Sequence, residues 1–167
     1  MSVARLSTEP AHRDDEIRSA RTFPVARAAL FAAFVDPVVL AEWWGPQGSV
    51  NIFEAFDIRP GGEWRFVMQT ADGIAYPMHN RFLEVVAPER IVLEHVQADH
   101  QFQIHIVFEA PDAGHTRMDW RMLFQSPAEA VRVRDFVLEA NEQNFDRLEA
   151  VLGLPASRGG TAVAPAV

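Results

Sequence analysis

TRMDWRMLFQSPAEAVRVRDFVLEANEQNFDRLEAVLG, residues 116–153, decides the fold, because its apolar period changes from two to helical within a few positions. From Thr116 to Gln125 the chain alternates: Met118, Trp120, Met122 and Phe124 oppose Arg117, Asp119 and Arg121, which predicts a strand with one apolar and one wet face. Ser126 follows as a candidate N-cap, with Pro127 at the first helical position and Glu129 at the third. Helical periodicity then runs to Leu152, and Gly153 stands where a C′ residue belongs. Val133, Phe136, Val137, Ala140, Phe145, Leu148 and Leu152 form the apolar stripe of that helix.

Upstream of this stretch the same alternation recurs. Candidate strands run over Ser49–Arg59, Glu63–Thr70, Ala75–Val86, Ile91–Gln97 and Phe102–Glu109. Pro60-Gly61-Gly62, Asp72-Gly73, Pro88-Glu89, Asp99-His100 and Asp112-Ala113-Gly114 separate them as short turns, which predicts an antiparallel meander. A first strand over Ile17–Phe23 ends at Pro24, and two short helices follow, Val25–Val35 and Pro37–Trp44. Both registers of Ser49–Arg59 are apolar, Ile52, Phe56 and Ile58 or Phe53 and Ala55, so its inward face stays open. The fold class is therefore α+β, a curved antiparallel sheet of six to seven strands around a long C-terminal helix. Residues 1–14 and 154–167, rich in small and polar residues, read as tails around one domain over 15–153.

Such a sheet shows its apolar face at Trp64, Phe66, Met68, Ile104, Ile106, Phe108, Met118, Trp120 and Met122, more surface than one helix covers. Two outcomes stay open: the side chains meet and fill the core, or a cavity remains. Asn80, His95, Asn141 and Asn144 fall on or beside that face, where an unpaired polar group costs about 1–3 kcal/mol. They are satisfied by one another, by water or by a ligand.

Composition narrows the function classes. The formal charge of -8 opposes a broad nucleic-acid footprint, which needs clustered cations. With no cysteine there is no disulfide, thiolate nucleophile or Cys-type zinc site. No secretory h-region and no apolar run near the roughly 20 residues of a membrane helix is present, so a cytoplasmic location without membrane insertion is expected. No serine sits in a G-x-S-x-G elbow, and no G-x-G-x-x-G or P-loop occurs, so no cofactor is expected. His95, His100 and His105 recur at odd intervals that send strand side chains to opposite faces, which opposes a metal site. His95, inward with Ile91 and Leu93, is the one catalytic candidate, as a general acid/base or a ligand-orienting group; a satisfied core histidine is the plainer alternative. Asp57 and Arg59 read as a structural ion pair. Of Trp43 and Trp44, about 100° apart on a helix, one is expected buried and one near the entrance.

Several motifs together carry a family resemblance. Arg21-Thr22-Phe23-Pro24-Val25-Ala26-Arg27, Asp36-Pro37, Glu42-Trp43-Trp44-Gly45-Pro46, Asp57-Ile58-Arg59-Pro60-Gly61-Gly62-Glu63-Trp64-Arg65-Phe66, Pro88-Glu89-Arg90-Ile91-Val92 and Phe145-Asp146-Arg147-Leu148 stand in order over residues 17–152. They resemble the Hsp90-ATPase-activator-homologue-like (AHSA1-type) branch of the START/Bet v 1 (SRPBCC) superfamily. The resemblance implies a helix-grip fold with a hydrophobic cavity between sheet and C-terminal helix; members include lipid and hormone binders, aromatase/cyclases and many bacterial proteins. Ala140-Asn141 stands where a Gly-Trp pair is common, a change that enlarges the cavity and makes its wall more polar. The separate N-terminal domain and ATPase-stimulating motif of eukaryotic Hsp90 activators are not in this sequence, which speaks against a cochaperone role.

The leading expectation is a protein that binds a small hydrophobic or aromatic molecule. Its expected site comprises Trp43, Trp44, Trp64, Phe66, Met68, Met78, Asn80, Phe82, His95, Ile104, Ile106, Met118, Trp120, Met122, Phe136, Ala140, Asn141 and Asn144. The alternatives are an aromatase/cyclase-like acid/base enzyme using His95 with Asn141, and a chaperone-interacting module. Sheet-edge pairing permits a homodimer.

Overall fold

Ser126 starts the long helix as its sequence predicts: its Oγ accepts the N–H of Glu129 at 3.2 Å, and Pro127 opens the first turn. The computed structural model describes residues 13–97 and 100–158, so most of both expected tails, 1–12 and 159–167, and the tip of the Asp99-His100 turn lie outside the described residues. Its elements are β1 (Glu16–Phe23), α1 (Arg27–Val35), α2 (Pro37–Trp43), β2 (Val50–Phe56), β3 (Glu63–Gln69), β4 (Ala75–Val86), β5 (Arg90–Gln97), β6 (His100–Asp112), β7 (His115–Phe124) and α3 (Pro127–Val151). All seven strands form one antiparallel sheet in the order β1-β7-β6-β5-β4-β3-β2. This is the α+β helix-grip architecture: β2 to β7 meander, β1 joins β7, and α3 lies across the inward face. Among the described residues no helix is long and apolar enough to cross a membrane.

The register left open for β2 is settled by a bulge. Phe53 pairs with Phe66 and Phe56 with Trp64, with the shift falling between Phe53 and Ala55. The extra residue turns both phenylalanines toward the core, where their rings lie 5.5 and 6.0 Å from that of Trp64. Ile52 and Val50 point to solvent instead. Gly62 is required in the next turn, because a Cβ there would lie 1.9 Å from the carbonyl oxygen of Asp57.

Two arginines fasten α3. Arg21 of β1 is buried and reaches Asp146 and Glu149 at 2.8 Å each and Glu142 at 2.5 Å. Arg147 donates to the carbonyls of Glu42, Trp44, Gly45, Pro46 and Ser49 and to Ser49 Oγ at 2.7–3.0 Å. Residues 154–158, expected within the C-terminal tail, are tied to α3: the Ser157 N–H donates to Glu149 at 2.9 Å and Arg158 to Asp146 at 2.6 Å. One stripe residue departs from expectation. Phe136 is 75% exposed and lies at the edge of a cavity beneath α3.

The core fills only part of the space under α3. Where α1 and α2 cover the sheet, Phe34 packs edge-on to Trp43 and Phe108 at 4.7 and 5.1 Å. Trp64 stacks on Phe66 at 4.7 Å and lies parallel to Phe82. Beyond that zone β3 to β7 carry their inward rows into a cavity.

Candidate functional site

Between residues 129–144 of α3 and the uncovered end of the sheet lies a cavity of about 320 Å³. Its wall follows from register. Along β6 the inward residues pass from packed Phe108 and Ile106 to lining Ile104 and Phe102, and along β7 from packed Met118 to lining Trp120, Met122 and Phe124. On β3 Met68 lines the cavity while Trp64 and Phe66 pack; on β4 Met78 and Asn80 line it while Phe82 packs; on β5 His95 lines it while Ile91 and Leu93 pack. Antiparallel pairing puts the lining ends of β3 to β7 at the same end of the sheet.

The expected residues divide accordingly. Trp44, Met68, Met78, Asn80, His95, Ile104, Trp120, Met122, Phe136, Ala140, Asn141 and Asn144 line the cavity, Phe136 at its exposed mouth. Trp43 of α2 and Trp64, Phe66, Phe82, Ile106 and Met118 of the sheet do not: they sit deeper, in the core packed between the sheet and α1 and α2. Of the two adjacent tryptophans, Trp43 is wholly buried with its Nε1 donating to the Ala33 carbonyl at 2.9 Å, and Trp44 reaches the cavity. Sequence reasoning missed Phe102, Phe124, Val133, Val137, Gly45, Pro46, Glu129 and Arg132. The α3 members were legible from the i, i+3, i+4, i+7 spacing Glu129, Arg132, Val133, Phe136.

The polar wall is self-satisfied in part. His95 Nδ1 lies 2.8 Å from Asn80 Oδ1, and its ring stacks on Phe102 at 4.9 Å. Asn141 Nδ2 donates to Ser19 Oγ at 3.1 Å, so the polar partner expected for His95 from α3 is instead the cross-strand Asn80. Asn144 Oδ1 accepts the Gly45 N–H at 3.1 Å. Gly45 has φ 94°, and a Cβ there would lie 2.8 Å from Ser49 Oγ and 2.9 Å from Met68 Cε, so glycine permits the Trp44–Pro46 wall to pack against Ser49 and Met68. Arg147 holds that wall from behind; burial pushes its guanidinium pKa down from the ordinary value. Asp57 and Arg59 form an exposed ion pair at 2.7 Å, away from the cavity.

Solved structures share this architecture. A protein from Arthrobacter aurescens superimposes with a TM-score of 0.77 at 21% identity, covering 86% of this chain and 88% of its own. A Nitrosomonas europaea protein gives 0.76 at 20% identity, with 86% and 97% covered. The AHSA1 protein of Silicibacter pomeroyi gives 0.65 at 22% identity, with 83% and 97% covered. At these identities the likeness establishes the fold. No curated protein matches the chain. The family model described as activator of Hsp90 ATPase homolog 1-like protein matches residues 24–153, from the end of β1 through all of α3. The chain therefore belongs to the activator of Hsp90 ATPase homolog 1-like family of the START/Bet v 1 superfamily.

Proposed function

We propose that this protein binds a small hydrophobic or aromatic molecule in the cavity between sheet and α3. The observation that carries the reading is the apolar space of about 320 Å³, within the size range of small-molecule sites. Rings of Trp44, Phe102, Trp120 and Phe124 and the flexible thioethers of Met68, Met78 and Met122 face that space, a wall that adapts to flat ligands.

Titration with 9-fluorenone, read by intrinsic tryptophan fluorescence, tests it. Trp44 and Trp120 line the cavity, so saturable quenching at one site is expected. Asn141→Trp places an indole in the cavity wall and is expected to abolish binding while the far-ultraviolet circular dichroism is retained. Absence of saturable binding to the wild type, or equal binding to the filled variant, contradicts the reading.

A further inference from the structure

Three asparagines in the cavity wall have one end of the amide engaged and the other without a hydrogen-bond partner among the described residues. Asn80 Oδ1 faces His95 Nδ1, leaving Nδ2; Asn144 Oδ1 accepts from Gly45, leaving Nδ2; Asn141 Nδ2 is shared between Ser19 Oγ and Met122 Sδ, leaving Oδ1. Each residue is at most 6% exposed, and each lines the cavity. The side-chain atoms that protein encloses without a hydrogen-bond partner among the described residues are others: Asn51 Oδ1, Trp64 Nε1, His79 Nε2 and, on the cavity-lining Trp120, Nε1. The unengaged ends of the three asparagines therefore open onto the cavity, two as N–H donors and one as an acceptor.

This pattern constrains what fills the space. A bare hydrocarbon would strip all three atoms of water and give nothing back, which is the costly way to bury a polar group. An ionised group beside the three amides would find Glu129 and Arg132 only at the mouth, half-buried and exposed; apart from the His95 ring, the remaining polar side chains of the lining are uncharged. A neutral oxygen with two lone pairs fits the donors.

We propose that the ligand is an uncharged, largely aromatic molecule bearing a carbonyl oxygen that accepts from Asn80 Nδ2 or Asn144 Nδ2, with a hydroxyl, where present, donating to Asn141 Oδ1. The proposal rests on the binding reading above and deepens it by naming the ligand class.

Fluorene, 9-fluorenone and fluorene-9-carboxylate share one tricyclic frame and differ in what they offer the amides. Affinities of the two neutral compounds are measured by tryptophan quenching and divided by each one's water-to-alkane partition. On that scale fluorenone is expected to gain roughly tenfold over fluorene, the value of one well-placed hydrogen bond to a buried donor. The carboxylate is expected to bind more weakly than the ketone in direct affinity. Asn80→Asp and Asn144→Asp keep the oxygen that faces His95 or Gly45 but replace the cavity-facing N–H with an oxygen; at least one of them is expected to erase the fluorenone preference. The wild-type comparison stands even if a variant fails to fold. Equal partition-corrected affinities for fluorene and fluorenone, or strongest binding by the carboxylate, overturn the proposal and leave pocket binding standing. No saturable binding of any of the three removes both.

Discussion

His95 Nδ1 and Asn80 Oδ1 lie 2.8 Å apart across the β4–β5 ladder, both side chains buried in a wall that is mostly aromatic and aliphatic. With Oδ1 accepting, Nδ1 carries the proton, and the ring is held parallel to Phe102. His95→Phe preserves the ring but leaves Asn80 Oδ1 without its donor. A loss of about 1–3 kcal/mol in urea denaturation is expected, partly recovered in the His95→Phe/Asn80→Leu double variant, where neither polar partner remains. Additive losses would show that the two residues are not coupled.

Arg147 is a second fixed point, since one guanidinium fork meets six acceptors on residues 42–49. Arg147→Lys keeps the charge and loses the fork. It is expected to destabilise the fold by about 2–4 kcal/mol and to weaken fluorenone binding at least as much as the melting curve suggests, because Trp44 sits on the released segment. Wild-type stability in the lysine variant would contradict this role.

Glu16 and Asp146 both titrate below the usual carboxylate range. Burial is the largest single influence on each and pushes upward, but it is outweighed by Arg121 at 2.6 Å from Glu16, and by Arg158 and Arg21 at 2.6 and 2.8 Å from Asp146. Such groups bind fewer protons folded than unfolded. Their contribution is whole above the unfolded carboxylate range, roughly pH 4, and is lost as pH falls through the lower folded values. The melting temperature, followed by circular dichroism, is expected to hold between about pH 7 and 5 and to fall below about pH 4. Asp146→Asn should melt lower at neutral pH and lose less on acidification. An equally steep acid limb in that variant would contradict the assignment.

Much of the fold was legible because each decisive signal is local: the Ser126 cap, the change of period at Gln125, and the alternation of β6 and β7. The division of the apolar face was not. Alternation tells which face Phe66 and Met68 share, but not that Phe66 meets Trp64 and Phe53 while Met68 lines the cavity. That difference is set by where α1 and α2 stop covering the sheet, a tertiary fact with no period of its own. The β2 register was hidden for another reason. A bulge lets Phe53 and Phe56 face the same way, which no strict alternation permits. Tight turns such as Pro60-Gly61-Gly62 were readable, because glycine there answers a backbone clash.

The cavity reading is tested most directly by the methionine methyl resonances. Met68, Met78 and Met122 line the cavity, whereas Met118 is fully buried in the packed zone one layer away. In protein carrying 13C-methyl methionine, saturating 9-fluorenone is expected to shift the methyl signals of Met68, Met78 and Met122 and to leave that of Met118 in place. Shifts confined to other signals, or no shift at any of the three lining methionines, would contradict a ligand site between the sheet and α3.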